Sequence, residues 1–181
     1  CLVASVLPDG TISLVEGSVD IGGSRTAIAQ IMAEVLGLKS EDVIPQVGDT
    51  DSIGFTSVTG GSGVAYKSGW AAHEAAIDIK NQIVKRAAII WDKDVTEIEY
   101  LDGSVRHKSD SELKMSFKEI ASQINETGEP IIGKANINPG GTTGSYSALI
   151  ADVQVDAETG KVDLLKLTAF QDVGYAIHPS Y

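Results

Sequence analysis

Short apolar runs and an amphipathic pattern follow each other at the start of the chain. Residues Leu2 to Leu7 and Thr11 to Val15 are β-prone, and Pro8-Asp9-Gly10 between them has the residue types of a tight turn. Between Ile28 and Val35, apolar residues recur at i, i+3, i+4 and i+7, the spacing of one helix face. We therefore predict a β-hairpin followed by a helix that ends at Gly37.

A second, longer helix is predicted in the middle of the chain. Residues Val43 to Val47 form an apolar run typical of a buried strand, and a glycine-rich segment at 59–63 precedes the helix. The helical pattern continues for roughly 30 residues, and the first half of one face consists almost entirely of small residues. Small side chains allow another backbone to approach closely, so we expect a central helix with Lys80, Lys85 and Arg86 on its opposite face.

Two hairpins are predicted in the second half of the chain. The segments Glu97 to Tyr100 and Ser104 to His107 flank Asp102-Gly103, a dipeptide that favours a two-residue hairpin turn. A longer pair of alternating segments, Ala148 to Val155 and Lys161 to Phe170, is separated by a turn that contains glycine. Each pair is therefore expected to form antiparallel strands.

The resulting order of elements mixes hairpins with helices. A short helix between Met115 and Ile124 completes the series, which is ββ-α-β-α-ββ-α-β-ββ. Strict alternation of strands and helices, which is typical of a doubly wound parallel sheet, is absent. We therefore predict an α+β fold, a two-layer mixed β-sheet with packed helices, in one domain over residues 1–181.

Composition limits the classes of function. The chain has 181 residues, 43% hydrophobic and 22% charged, which is typical of a globular domain. Its formal net charge of −11 repels phosphate backbones and anionic membrane surfaces, and no segment has the ~20 consecutive apolar residues that span a bilayer. We therefore expect neither nucleic acid nor membrane as a partner.

The cysteine content and the first residue carry two further expectations. Cys1 is the only cysteine, which excludes a disulfide scaffold and any cysteine-based zinc or iron–sulfur site within the chain. A reducing compartment, the cytoplasm, is the expected location. Because the chain opens at Cys1 inside a predicted strand rather than at a methionine, we expect it to be a fragment of a longer protein.

Two glycine-rich loops are the main candidates for a binding site. DIGGSRT at 20–26 and TGGSG at 59–63 each lead directly into a predicted helix, whose first N–H groups are unpaired and attract anions. A phosphate or pyrophosphate group fits such a position. The alternative is that Ser24 or Thr26, and Ser62, are ordinary N-cap residues after tight turns. Neither loop matches a P-loop or a Rossmann fingerprint.

Other motifs leave alternatives open. Asp49 and Asp51 in GDTDS could hold a divalent cation or could form turn hydrogen bonds. His73-Glu74 begins a string like that of zinc proteases, but residue 77 is isoleucine, so this helix cannot supply both metal ligands. A third glycine-rich segment, NPGGTTGS, spans residues 138–145.

Taken in order, these motifs resemble the molybdopterin-binding subunit of the xanthine dehydrogenase and aldehyde oxidase family of molybdenum hydroxylases. The resemblance covers DIGGSRTAIAQIMAEVLGL, VGDTDS, TGGSG with SGWAAHEAA, and the final hairpin segment that ends in DVGYAIHP. After the first loop, the matching positions of the family pattern are Thr26, Gln30, Ile31, Ala33, Glu34, Leu36 and Gly37. Five weak motifs in the right order together indicate membership.

The resemblance implies an oxidoreductase with a molybdenum–molybdopterin cofactor, for which a dinucleotide is one alternative form. It implies partners as well: the remainder of the molybdopterin subunit, and iron–sulfur and FAD subunits or domains. A second copy of the chain is a further candidate partner, because a domain cut from its neighbours exposes apolar patches that promote dimerisation. The residues that would contact the cofactor are Gly22, Gly23 and Ser24 in the first loop, Thr59, Gly60, Gly61 and Ser62 in the second, and Asp172 and Gly174 after the last strand.

The chain also departs from the family pattern. The glutamine of the first loop is absent, Gly63 stands where arginine is expected, and His178 stands where asparagine is common. The family's catalytic glutamate is expected beyond the last hairpin, and Gly128-Glu129-Pro130 precedes that hairpin, so no residue here is predicted to be catalytic. We therefore expect the chain alone to be inactive. The alternative is a non-catalytic binding or assembly module that retains the scaffold. The substrate is not predicted.

Overall fold

The computed structural model describes residues 1–137, 139–140 and 144–178. They divide into two compact units, the first from Cys1 to Pro139 and the second beginning at Gly140. The strands are β1 Leu2–Val6, β2 Ile12–Glu16, β3 Val43–Val47, β4 Ile98–Leu101, β5 Ser104–His107, β6 Lys114–Ser116, β7 Ile132–Ala135, β8 Tyr146–Val155 and β9 Val162–Asp172. The α-helices are α1 Ser24–Leu36, α2 Val64–Trp91, α3 Phe117–Ser122 and α4 Ile124–Thr127.

A four-stranded mixed sheet is the base of the first unit. Its strand order is β3-β2-β1-β7; β2 and β3 are parallel, and the other two pairs are antiparallel. Burial alternates along β2, so that Ile12, Leu14 and Glu16 point to the same covered face. This mixed sheet, together with the helices packed on it, confirms the predicted α+β class.

The two long helices pack together and meet this sheet. As predicted, α1 ends at Gly37, which adopts the left-handed conformation with φ 65°. Along α2, ten residues are buried, and seven of them are alanine or glycine. A Cβ at Gly133 of β7 would lie 2.3 Å from the carbonyl oxygen of Ala75, so only glycine permits this approach of strand and helix. The predicted central position of α2 is therefore confirmed.

Arg86 corrects the expected polar face of α2. It is 8% exposed rather than solvated. Its guanidinium donates hydrogen bonds to the carbonyl oxygen of Ile124 at 3.1 Å, the hydroxyl of Thr127 at 3.0 Å and the carbonyl oxygen of Glu129 at 2.5 Å. The arginine thus satisfies two backbone carbonyls and one hydroxyl in and just after α4, which explains why a cation is buried on this helix.

A smaller sheet, β4-β5-β6, packs on the later part of α2. The predicted turn at Asp102-Gly103 is confirmed, because both residues have positive φ, 47° and 71°, as a two-residue hairpin turn requires. Strand β6 was not predicted; its three residues are too few for a periodic pattern. The predicted helix after it is confirmed as the two short helices α3 and α4.

The second unit contains the long antiparallel hairpin of β8 and β9, as predicted, with an irregularity in register at Asp152/Val153. Apolar side chains are exposed on both faces of this ribbon, among them Leu149, Leu165 and Leu167 at 59–65%. Among the residues that the structure describes, no helix is both long and apolar enough to cross a bilayer.

Candidate functional site

The loop between β3 and α2 covers the end of the four-stranded sheet. The Gly48 N–H donates to the carbonyl oxygen of Glu16 at 2.7 Å, which fixes the start of the loop beside β2. Farther along, the loop approaches Gly17 so closely that a Cβ there would lie 2.1 Å from Thr56 Oγ1. Two glycines therefore allow the segment before the second glycine loop to lie against the sheet.

A cavity of about 300 Å³ lies in the first unit, between this loop and the start of α2. Its lining combines apolar and hydroxyl-bearing side chains with backbone of the second glycine loop. Among the residues that line it are Ser18, Thr59, Gly60, Gly63, Lys67 and Ser68. The Ser18 and Ser68 hydroxyls are 3.0 Å apart, so they join the end of β2 to the first turns of α2 across one wall.

The second glycine loop enters α2 without a side-chain cap. Gly61 and Ser62 both have positive φ, 63° and 55°, and Gly63 is the N-cap residue. The interpretation of Ser62 as an ordinary N-cap is therefore wrong. Thr59 and Gly60 line the cavity, whereas Gly61 and Ser62 are exposed beside it and are not among the lining residues.

The first glycine loop is held by hydrogen bonds between its own residues. Gly22 and Gly23 have φ of 59° and 75°, and Gly23 rather than Ser24 or Thr26 is the N-cap of α1, so the N-cap interpretation is wrong here too. The Ser24 hydroxyl is buried and accepts a hydrogen bond from the Ile21 N–H at 3.2 Å. Gly22, Gly23 and Ser24 are not among the residues that line the cavity.

A carboxylate already occupies the start of α1. Asp20 Oδ1 accepts the Arg25 N–H at 3.1 Å, and Oδ2 accepts Arg25 Nε at 2.8 Å. Hydrogen bonds from the Arg25 backbone, and then from its side chain, hold the pKa of Asp20 below its usual range. The N-terminal end of α1, which was predicted to attract an anion, therefore already contacts the Asp20 carboxylate of its own loop.

Glu16 is the most unusual group near the cavity, and no sequence motif predicted it. Its side chain is 1% exposed, and neither carboxylate oxygen has a hydrogen-bond partner among the described residues. Burial, reinforced by the Asp20 charge, raises the pKa of Glu16 to about 7, while the Arg25 charge and the nearby Ser68 hydroxyl oppose this only in part. The alternating pattern of β2 could have predicted this burial, because Glu16 lies on the same face of the strand as Ile12 and Leu14.

The candidate metal motifs do not form metal sites in the described part of the chain. Asp49 Oδ1 accepts the N–H groups of Asp51 at 2.9 Å and Ser52 at 2.7 Å, which is the turn alternative. His73 contacts Glu74 at 3.1 Å. Within residues 1–137, 139–140 and 144–178, no group of three or more His, Cys, Asp or Glu side chains could hold a metal ion.

Asp172 and Gly174 belong to the second unit. Asp172 Oδ1 accepts the Gly174 N–H at 3.1 Å, and Gly174 has φ of 69°, so the pair forms a tight turn after β9. Their role as cofactor contacts stays a prediction. Part of the third glycine-rich segment, at positions 138 and 141–143, lies outside the described residues.

Comparisons with known proteins agree with one another. The model of a family described as molybdopterin cofactor-binding domain matches residues 2–181. A putative xanthine dehydrogenase molybdenum-binding subunit, XdhA of Escherichia coli (strain K12), is 26% identical over 177 residues, which are 94% of this chain and 24% of the relative. A probable hypoxanthine oxidase of the same strain, XdhD, is 31% identical over 176 residues, or 94% of this chain and 18% of the relative.

A solved structure supports the same fold. The crystal structure of a Cu,Mo-CO dehydrogenase matches 99% of this chain and 23% of its own, with a TM-score of 0.85 and 26% sequence identity. The chain therefore spans a quarter or less of the length of the proteins it matches. The predicted family resemblance is confirmed.

Proposed function

Because the chain belongs to the molybdopterin cofactor-binding domain family, we propose that it forms part of the cofactor site of a molybdenum hydroxylase of the xanthine dehydrogenase and aldehyde oxidase type. The family model spans residues 2–181, so we also propose that the two compact units are parts of one domain. When bound, the molybdenum–pterin group supplies the redox centre. The residues of this chain bind and orient it.

The observation that carries the proposal is the cavity at the start of α2. Its donors fit a phosphate-bearing pterin: an uncapped helix N-terminus after Gly63, the hydroxyl of Thr59 and the ammonium of Lys67. The backbone of Gly60 lies on the same wall and has no side chain to hinder a ligand; a Cβ there would meet no atom of the described residues within 4 Å. These residues hold and position the ligand, and none of them is assigned to proton transfer.

The first loop and the end of β9 are proposed as weaker cofactor contacts. Gly22, Gly23 and Ser24 would contribute backbone contacts, and Asp172 and Gly174 would contribute the turn after β9. Since Gly22 has positive φ and open space around it, its backbone is accessible to a ligand. The order of the motifs along the family pattern supports these assignments.

The partners and compartment are proposals that follow from the family. XdhA is named as a molybdenum-binding subunit, which supports assembly with the rest of such a subunit and with iron–sulfur and FAD subunits or domains. A cytoplasmic location is supported by a single cysteine and no possible intrachain disulfide. The 181-residue chain alone is proposed to be inactive, since it spans only part of its relatives.

Metal and pterin analysis tests the function. The complete protein that contains this chain should retain molybdenum and a pterin, measured by mass spectrometry and by fluorescence of the oxidised pterin, whereas residues 1–181 alone should not. Gly61→Val should lower the pterin content, because a β-branched residue disfavours the φ of 63° at this position. Gly140→Ala, where a Cβ meets no described atom within 4 Å, is the control.

The same measurements separate the alternative function. A well-folded complete protein without pterin, from cells that make the cofactor, would contradict the proposal and support a binding or assembly module. If the folded Gly61→Val protein retains pterin at the wild-type level, the second glycine loop is not part of the cofactor site.

A further inference from the structure

A buried carboxyl group lies just behind the wall of the cavity. Glu16 is the last residue of β2, and Ser18, two residues later, lines the cavity. Both residues are buried, at 1% and 7% exposure, so Ser18 continues the alternation of burial along the strand. Neither carboxylate oxygen of Glu16 has a hydrogen-bond partner among the described residues. Burying such a group without a partner costs free energy, so its surroundings must compensate for it.

Ser68 of α2 connects Glu16 with the cavity. Its hydroxyl opposes part of the rise in the pKa of Glu16, which places it near the carboxyl group, although it makes no hydrogen bond to either oxygen. The hydroxyl oxygens of Ser68 and Ser18 are 3.0 Å apart, and both residues line the cavity. The three polar side chains therefore form a series with Glu16 at its buried end and Ser18 at the cavity.

The direction of the hydrogen bond between the two serines is not fixed by their own positions. At this distance either hydroxyl can donate to the other. A protonated carboxyl group has a hydrogen to donate, whereas an ionised carboxylate can only accept. The state of Glu16 therefore decides which of the two serines is the donor.

The two states of Glu16 leave opposite groups at the cavity. When Glu16 is protonated, it donates to Ser68, Ser68 donates to Ser18, and the Ser18 hydrogen is free to point into the cavity. When Glu16 is ionised, Ser68 donates to the carboxylate and Ser18 donates to Ser68, so that Ser18 keeps only its lone pairs for a ligand. One proton on Glu16 thus changes the cavity wall from an acceptor into a donor.

Burial and the neighbouring charges place the titration of Glu16 close to neutral pH. Burial raises its pKa to about 7, and the Asp20 carboxylate in the first glycine loop adds to this rise. Arg25 of α1 and the amino group of Cys1, just before β1, oppose it in part. The residues paired with Glu16 on β1 and β3 are apolar. Both states of Glu16 are therefore accessible to the folded protein.

We propose that Glu16 controls, through Ser68 and Ser18, the hydrogen-bond character of the cavity wall, so that the cavity holds an acceptor atom of the cofactor more tightly when Glu16 is protonated. The inference rests on the proposed function and deepens it, because it makes retention of the cofactor depend on one proton. Glu16 is a positioning residue, since it acts on the ligand only through the two hydroxyl groups. Its proton comes from water, and no proton passes to the ligand.

Infrared spectroscopy of the cofactor-free complete protein tests the connection between Glu16 and Ser68. The carbonyl stretch of a protonated carboxyl group vanishes when the group ionises, and the difference between the wild type and Glu16→Gln isolates the Glu16 band. This band should disappear as the pH rises through about 7. Ser68→Ala should shift it to higher frequency, because the carboxyl group loses the hydroxyl to which it donates.

Retention of pterin by the cofactor-loaded complete protein tests the effect on the ligand. The rate of pterin loss during dialysis is measured at a low pH, where Glu16 is protonated, and at a high pH, where it is ionised. The ratio of the high-pH rate to the low-pH rate should be about fivefold or more larger for the wild type than for Glu16→Gln, the size expected of two coupled sites. Other titrating groups, those of the cofactor included, cancel in this comparison.

Ser68→Ala and Ser57→Ala form a matched pair. Both remove a hydroxyl from the cavity lining, but Ser57 is exposed and lies outside the series. Ser68→Ala should show the same ratio of rates as Glu16→Gln, because Glu16 still titrates but no longer acts on Ser18. Ser57→Ala should keep the ratio of the wild type. Circular dichroism at both pH values verifies that every variant is folded.

The outcomes separate this inference from the proposed function. If the loaded wild type retains pterin but Glu16→Gln shows the same ratio of rates, the inference is overturned and the proposed function is not. A Glu16 band that Ser68→Ala leaves unshifted, or that the wild type lacks at low pH, overturns the inference as well. If the loaded wild type retains no pterin although the infrared band behaves as expected, the proposed function fails, and control of the cofactor by Glu16 fails with it.

Discussion

Gly133 of β7 lies directly against the carbonyl oxygen of Ala75 in α2, at a distance that excludes any side chain on the strand. A Cβ at Gly133 would be 2.3 Å from that oxygen and 2.7 Å from Ile79 Cγ1. This contact sets how deeply α2 lies against β7. The helix N-terminus that borders the cavity belongs to the same rigid element, so a packing contact in the core also positions the candidate site.

Gly133→Ala should therefore destabilise the protein. Relief of the overlap requires α2 and β7 to separate, and such overpacking costs about 1–3 kcal/mol. Urea unfolding followed by circular dichroism measures the change in the free energy of unfolding. Gly140→Ala, which places a Cβ in open space, should leave it unchanged, and equal stability of the two variants would contradict the packing argument.

Glu16 should make stability depend on pH. Its pKa is raised from 4.5 to about 7 by burial, so the folded state holds a proton that the unfolded state releases. The contribution of this group to the free energy of unfolding is therefore largest below about pH 4.5. It falls as the pH rises from 4.5 to 7, and above about pH 7 the wild type has lost about 3 kcal/mol of stability.

Glu16→Gln isolates this effect, because glutamine has the same shape and no proton to lose. The difference in unfolding free energy between the variant and the wild type should grow in favour of the variant from pH 5 to pH 8. Chemical unfolding at a series of pH values measures it, and all other titrating groups cancel in the comparison. Parallel pH profiles for the two proteins would show that Glu16 is ionised or solvated in the fold.

Arg86 should be needed for the segment that follows α3. Replacement with methionine keeps the apolar stem but leaves the acceptors of Ile124, Thr127 and Glu129 without their donor, at an expected cost of about 2–4 kcal/mol. Hydrogen exchange should also accelerate locally over residues 124–129. Lys85→Met, its exposed neighbour on α2, is the control, and comparable stability of the two variants would contradict this role.

Local signals in the sequence predicted the elements well where a few adjacent residues decide the conformation. Asp102-Gly103 determines its hairpin turn, Gly37 ends α1, and small residues identify the buried face of α2. The burial of Arg86 was not predictable in this way, because its partners lie 38–43 residues later in the chain.

The candidate site was predicted only in part, for the same physical reason. Thr59 and Gly60 were found by their glycine-rich motif and do line the cavity. Ser18 and Ser68 were missed, because 50 residues separate them and only the packing of α2 brings their hydroxyls to 3.0 Å. Lys67 also lines the cavity, one helical turn after the glycine loop, and no sequence motif marked it.

The β8–β9 hairpin should make the isolated chain self-associate. Leu149, Leu165 and Leu167 share one face of the ribbon and are 59–65% exposed, and such apolar patches promote association. Sedimentation velocity of residues 1–181 should therefore show concentration-dependent oligomers. Leu167→Lys should shift the distribution towards monomer, whereas Thr168→Lys, on the opposite face of the same strand, should do so less. A chain that is monomeric at every concentration would contradict the prediction.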